Sequence, residues 1–305
     1  MGMRIATFNL KDFFEPRDAN EGKITEAKIA NVAENMKRAN ADVLALQEVG
    51  SEAMVMRLAT HEAKELGYGA PVFGTPDRRG IRCAVLSRYP ILWSQIHTQK
   101  ALTFPRFVTD DPEPFAGRIP LRRGVVHVRV DAPKIGEVDV LTMHFKSTMG
   151  VVLRNGAGEE LSDPTPRGTG EAALRSFVQR AAEALYVRGL VDEVFRALPD
   201  HAVCVLGDLN DTTDSVPVRI LLGIRQEGHG RLRSCVERAQ ERSRFSCFHA
   251  GGQTLIDHIL VSDRLFDMLG EMTIQNETLR YHGPFAEAVG LTPDSDHALC
   301  VASFG

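Results

Sequence analysis

Apolar positions along this chain follow two periods. Short stretches alternate or run continuously apolar, as strands do, and longer ones repeat every three or four residues, as helices do. Arg4-Ile5-Ala6-Thr7-Phe8 reads as a strand that stops at Asn9-Leu10-Lys11-Asp12. From Ile24 to Ala39, the residues Ile29, Val32, Ala33, Met36 and Ala39 share a helical face. Asp42 to Leu46 is a second strand, ending at Gln47-Glu48, and Ser51 then caps a helix expected to reach Leu66, ahead of Gly67 and Gly69. Cys83–Ser87 and Ile91–Ile96 are strands on either side of a turn at Arg88-Tyr89-Pro90. Residues 98–117, rich in Pro, Phe, Asp and Thr, read as a long surface loop. Val125–Val130 and Val138–Thr142 form a hairpin, and the second strand runs out into Met143-His144-Phe145-Lys146-Ser147.

The second half continues in the same way. A Gly/Pro-rich loop at 149–170 precedes a helix from Glu171 to Leu198, with a break expected near Gly189 and an apolar face of Leu174, Phe177, Val178, Ala181 and Leu185. The run Val203-Cys204-Val205-Leu206 is a buried strand that breaks at Gly207-Asp208-Leu209-Asn210-Asp211. Pro217 opens a short helix, Val218 to Leu222, and the Arg-rich stretch 225–244 has no clear period. Leu255–Val261 is a strand that includes Asp257, and Asp294-Ser295-Asp296-His297 leads into a last strand, Ala298–Ala302. Many strands, some in hairpins, interleaved with few helices predict an α/β (α+β) chain of mixed sheets packed together with helices outside. A doubly wound parallel sheet is the alternative.

Composition narrows the class. The chain has 305 residues, 43% of them hydrophobic, with no repeat or low-complexity tract, so a single domain spanning 1–305 is expected. A formal net charge of -4 gives no global polycation for non-specific nucleic-acid binding. No apolar run approaches the roughly 18 residues of a membrane span, and the N-terminus lacks an apolar signal core. Five cysteines without a C-x-x-C pair read as free core thiols in a reducing compartment. A cytoplasmic location is the expectation, and no protein partner is evident.

Polar residues recur where the apolar strands end: Asn9, Glu48, His144, Asp208 with Asn210, and Asp296 with His297, while Asp257 lies in a strand. Each alone is explained by an ordinary turn at a strand end, where Asp and Asn are common. Together they are the residue types that metal-assisted phosphate chemistry requires.

Thr7-Phe8-Asn9-Leu10, Gln47-Glu48, Thr142-Met143-His144-Phe145, Gly207-Asp208-Leu209-Asn210, Ile256-Asp257-His258-Ile259 and Ser295-Asp296-His297 resemble, in order, the motifs of the endonuclease/exonuclease/phosphatase superfamily with its deoxyribonuclease-I-like fold. His144-Phe145-Lys146-Ser147 looks like the variant of bacterial nuclease-like members. The resemblance implies a four-layer sandwich of two packed mixed β-sheets flanked by helices, and a Mg²⁺-dependent phosphodiesterase or nuclease in which Mn²⁺ can substitute. It implies Glu48 as principal metal ligand with Asn9 and Asp296 beside it, and His297 as general base oriented by Asp257. Asp208 and Asn210 would position the nucleophile and phosphate, and His144 would contact a phosphoryl oxygen. His258 stands where many relatives carry an aromatic residue and is expected to be structural.

The chain departs from better-known branches. Leu206, not Trp, precedes Gly207, and Leu255-Ile256-Asp257-His258 replaces the Trp-Cys-Asp-Arg signature of inositol-polyphosphate 5-phosphatases. Abasic-site endonucleases match only partly at Ile256-Asp257-His258. Arg78, Arg79, Arg82, Arg88, Arg106, Arg118, Arg122 and Arg123, interleaved with phenylalanines, offer contacts for phosphates and bases. Asp110, Asp111 and Glu113 offset part of that charge. Arg118 and Lys146 are the candidate substrate contacts, with nucleic acid among the candidate phosphodiesters. The alternatives are a phosphatase or phospholipase-type enzyme on a small or lipid-linked phosphate, or an idle binding scaffold.

Overall fold

The computed structural model describes residues 2–223, 230–249, 252–279 and 292–305. In chain order the first half contains β1 (Met3–Phe13), α1 (Ala19–Ala39), β2 (Val43–Val49), α2 (Glu52–Arg57), β3 (Val72–Phe73), β4 (Arg82–Ser87), β5 (Ile91–His97), β6 (Val125–Ala132) and β7 (Gly136–His144). The second half contains β8 (Leu153–Arg154), β9 (Glu160–Leu161), α3 (Pro166–Ala197), β10 (Ala202–Asp208), α4 (Val216–Leu222), β11 (Leu232–Ser234), β12 (Cys247–His249), β13 (Gly252–Thr254), β14 (Asp257–Ser262), α5 (Asp263–Phe266), β15 (Leu269–Gln275) and β16 (Leu299–Phe304).

Two six-stranded mixed sheets result, in the orders β15-β16-β1-β2-β4-β3 and β11-β14-β10-β7-β6-β5. Alternation gives each strand one face toward the other sheet and one toward a helix. Ile5, Val43, Ala45 and Val85 of the first sheet meet Val128, Val140, Leu206 and Ile259 of the second in the central core. The outer face of the first sheet packs on Ile29, Val32 and Met36 of α1, and that of the second on Ala184, Val187 and Val191 of α3. This is the expected four-layer sandwich. It replaces the doubly wound alternative, because each sheet mixes parallel and antiparallel neighbours.

Strand order sets up the rim. In the first sheet β1 and β2 run parallel while β16 runs antiparallel to β1. In the second sheet β7 and β10 run parallel while β14 runs antiparallel to β10. The ends of β1, β2, β7 and β10 and the beginnings of β14 and β16 therefore share one edge of the sandwich. Gln47 ties the two sheets just beneath it: its Nε2 donates to Thr142 Oγ1 at 3.1 Å, and its Oε1 accepts from Thr7 Oγ1 at 3.0 Å.

Several local expectations change. β1 continues past Asn9 to Phe13, and β2 continues through Glu48 to Val49. Ser51 does cap α2, with Met54 N–H on its Oγ at 3.2 Å, but α2 gives way to a π turn at Leu58–Glu62 before a 3₁₀ turn ends at Gly67. The strands around Arg88-Tyr89-Pro90 do not pair with each other, since β4 lies in the first sheet and β5 in the second. α3 starts at Pro166 and runs unbroken through Gly189. Leu174, expected on its apolar face, is 60% exposed, because this half of the helix buries Ser176, Gln179, Arg180 and Glu183 instead. β15 was not expected, and Asp257 begins β14 instead of lying inside it. In the Arg-rich stretch, residues 225–229 lie outside the described residues, and β11 follows them. No helix among the described residues is long and apolar enough to cross a membrane. All five cysteines are free and buried, as expected.

Candidate active site

Register places three of the polar residues side by side. On β10, Asp208 is opposite His144 of β7 on one side and Asp257 of β14 on the other. This close approach depends on Gly207, whose φ is +145° and whose added Cβ would sit 2.0 Å from the Met143 carbonyl oxygen. The first sheet contributes through irregular backbone. Glu48 adopts φ +58° where the β2–β4 register shifts, and Lys11 and Asp12 adopt φ +49° and +47° where the β1–β2 register shifts. Bulges of this kind re-aim side chains at the edge of a sheet. Here they turn the Asp12 N–H onto Glu48 Oε2 at 2.8 Å and the Lys11 N–H onto Asn9 Oδ1 at 2.9 Å.

Across the gap between the sheets, Asn9 Nδ2 donates to Asp208 Oδ2 at 2.9 Å and lies 3.4 Å from Glu48 Oε1. His144 Nε2 faces Asp208 Oδ2 at 3.4 Å and Glu48 Oε1 at 4.0 Å. Ser295 Oγ donates to Asn9 O at 2.7 Å and accepts the His297 N–H at 3.0 Å, which fixes the chain entering β16. His297 Nδ1 lies 2.8 Å from Asp257 Oδ2, and its Nε2 is 3.9 Å from both Asp208 Oδ2 and Asp296 Oδ1. Because a carboxylate only accepts, Nδ1 of His297 carries the proton in that pair. Asn210, at φ +53°, donates its backbone N–H to Asp208 Oδ1 at 2.9 Å and its Nδ2 to Phe145 O at 3.1 Å.

Electrostatics divide these groups. Burial, then the charge of Asp257, raises the Asp208 carboxyl to about 7. Burial acts against a charged His297, but Asp257, Asp208 and Asp296 outweigh it and raise that imidazole well above its ordinary value. His144 moves the other way, pushed far down by burial and then by Arg123 and His297, so it is neutral at pH 7. Burial disfavours ionised Asp296, yet His297 and Lys11 hold its carboxyl below the usual range.

The structure thus brings together Asn9, Glu48, His144, Asp208, Asn210, Asp257, Asp296 and His297. Among the described residues, no hydrogen bond or ion pair ties Lys146 or Arg118 to them. The Lys146 ammonium turns onto Ser147 O at 2.9 Å and Met149 O at 2.7 Å, and Arg118 is exposed after a 3₁₀ turn at Pro114–Gly117. Much of the arginine cluster is committed to acids: Arg79 to Asp12, Arg82 to Glu52, Arg88 to Asp42 and Arg123 to Asp77. Arg123 also donates to His144 O and Phe145 O at 3.1 and 3.3 Å, which makes it a support of the site. His258 is buried on Asp211 O at 2.8 Å, in keeping with a structural role.

Sequence reasoning missed Lys11, whose ammonium pairs with Asp296, because no pattern marks a lysine in a bulge. It also missed Glu183, which accepts the Lys146 N–H at 2.8 Å, and Arg180, which pairs with Asp211 at 3.0 Å and reaches the carbonyls of Lys146 and Ser147. Asp211 is thereby more than a turn residue.

The oxygen-rich donor set suits a hard divalent cation. Among the described residues, Asp296 Oδ1 and Asp257 Oδ1 are buried without a hydrogen-bond partner, and burial, then the charge of Asp257, raises Asp208. Asp208, Asp257 and His297 offer ligand atoms within 4.8 Å of one another. However, His297 Nδ1 already engages Asp257, so that trio reads better as an acid–imidazole pair beside a second acid. Glu48 and Asp296 are the more exposed oxygen donors.

Known proteins agree with this architecture. Truncated Caenorhabditis elegans TDP2 is similar at 17% identity and TM-score 0.59, over 100% of this chain and 98% of that one. Danio rerio TDP2 complexed with single strand DNA product is 16% identical, with TM-score 0.59 over 99% of this chain and 98% of that one. The Bacteroides thetaiotaomicron mannosyl-6-phosphatase Bt3783 is 16% identical, with TM-score 0.58 over 98% of both chains. At such identities these likenesses establish the fold alone. No curated protein matches the sequence. The profile of the Endonuclease/Exonuclease/phosphatase family matches residues 6–297, from the first strand to the histidine that closes the site, and the chain belongs to that family.

Proposed function

We propose that this protein is a metal-dependent phosphodiesterase, most readily a nuclease, that activates water through His297, with the whole chain acting as one catalytic unit. The observation that carries the reading is the His297 geometry. Asp257 fixes Nδ1 at 2.8 Å, and Nε2 is left 3.9 Å from Asp208 Oδ2. That gap is too long for a direct hydrogen bond but accommodates a water bonded to both at about 2.8 Å. His297 takes the proton of that water at Nε2, Asp257 stabilises the imidazolium, and Asp208 orients the water. Asn210 holds Asp208 Oδ1 in place, and neutral His144 presents its Nε2 to a phosphoryl oxygen. A Mg²⁺ held by Glu48, with Asn9 and Asp296 beside it, would supply positive charge to the phosphoryl oxygens and favour the unprotonated form of His297.

The reading toward nucleic acid is supported by the likeness to the DNA-bound TDP2, and that toward small phosphoesters by the likeness to the mannosyl-6-phosphatase. Lys146 and Arg118 enter as substrate contacts only if the substrate extends beyond the cluster. Bis-p-nitrophenyl phosphate tests the chemistry. Cleavage is expected with Mg²⁺ or Mn²⁺, to stop with EDTA, and to fall by about 10²–10⁴-fold in His297→Ala. A panel of plasmid DNA, oligonucleotides, RNA, inositol phosphates, sugar phosphates and sphingomyelin then separates nuclease from phosphatase or phospholipase. Turnover of none of them with any divalent ion would sink the enzyme reading.

A further inference from the structure

Lys11 lies at the bulge of β1 with its side chain 23% exposed, and its ammonium pairs with Asp296 Oδ2 while Asp296 Oδ1 is buried with no hydrogen-bond partner among the described residues. Its conformation is built in. Two consecutive left-handed residues, Lys11 and Asp12, place its backbone N–H on Asn9 and the next N–H on Glu48. The same two-residue bulge therefore organises three of the oxygen-bearing residues proposed to surround a cation. Lys28 of α1 lies behind it, 1% exposed, with its Nζ on Thr292 O at 3.3 Å and within electrostatic reach of Asp296, Asp12 and Glu48.

Charge then limits what the site can accept. Among the described residues, the Lys11 ammonium already stands on Asp296, and Asp12 is paired instead with Arg79. A second divalent ion at Asp296 would sit beside that ammonium, and like charges in a partly buried site repel.

We infer that Lys11 is a resident cation standing at Asp296 in place of a second metal ion, so that this chain works with one divalent ion. The inference rests on the metal-dependent reading above. It makes Lys11 a positioning residue: the ammonium holds Asp296 toward His297 and offsets its charge without occupying Glu48.

Counting Mn²⁺ bound without substrate tests this, by calorimetry and by the loss of free-ion electron paramagnetic resonance signal. Wild-type protein is expected to bind one ion, lost in Glu48→Gln. Lys11→Met, which keeps the side-chain length, is expected to acquire a second ion at least about tenfold tighter than any weaker binding in wild type. Adding Asp296→Asn to Lys11→Met should remove that second ion, and Lys11→Arg should keep the wild-type count of one. Two ions in wild type, or an unchanged count in Lys11→Met, would overturn the inference. If the protein binds two ions and still cleaves bis-p-nitrophenyl phosphate, the inference fails while the enzyme reading stands. If it neither binds Mn²⁺ nor cleaves the ester, both fail.

Discussion

His297 and Asp208 are shifted in the same direction, one as a base held protonated and the other as an acid reluctant to ionise. Both shifts make the protein without metal less stable as pH rises. For His297 the folded value lies above the unfolded one, so its stabilisation is complete below about pH 6.5 and is lost as pH rises through the raised folded value. For Asp208, raised to about 7, ionisation is harder in the fold than in the unfolded chain, so stability falls between its unfolded value near 3.8 and pH 7. Thermal melts in EDTA are therefore expected to show a higher midpoint at about pH 5.5 than at about pH 8, and Asp208→Asn should flatten the slope. A midpoint that rises over this range would contradict the assignment. Asp257→Asn keeps the shape but removes the charge that holds His297 up, so the histidine should titrate at lower pH, visible in its imidazole NMR shifts. At this scale the motif residues were legible because side-chain identity is itself the signal. Lys11, Arg180 and Glu183 were not, because their roles arise from a bulge and a helix face that bring together residues distant in sequence.

Between elements, two residues hold the strands in their places. Gly207→Ala forces a Cβ to 2.0 Å from Met143 O in a backbone conformation that disfavours side chains. The parallel pair of β7 and β10 must then separate, and a loss of about 3 kcal/mol or more is expected in denaturant unfolding, with activity lost as well. Gln47→Met keeps volume but leaves Thr7 and Thr142 without their shared partner between the sheets, a cost of about 1–3 kcal/mol measurable in the same way. The strands were largely legible because alternation and apolar runs mark them directly. β15 was missed because Leu269-Gly270-Glu271-Met272 buries only its first and last residue, which gives a weak period. The first half of α3 was misread for a different reason. A helix that buries Ser176, Gln179, Arg180 and Glu183 against loop carbonyls and Asp211 has no apolar stripe to find there.

Over the whole molecule, the four layers could be anticipated from the alternation of strands and helices, and the order of motifs from Asn9 to His297 tied them to one rim. What the pattern could not give is pairing, since the partner of a strand is not written in its own period. The free thiols offer a simple check of the packing. All five are buried, and burial raises each, so a thiol reagent should label none of them in native protein and five after denaturation.

β16 lies between β15 and β1, with Met3 opposite Phe304 and Thr7 opposite Cys300. An early strand of the chain is thus completed by a very late one, and the residue proposed to activate water immediately precedes that late strand. During synthesis the ribosome releases Asn9 and Glu48 long before Asp296 and His297, so a nascent chain lacks the base and the acid beside it. On the proposed mechanism, the base reaches its partners only once β16 has slotted between β15 and β1.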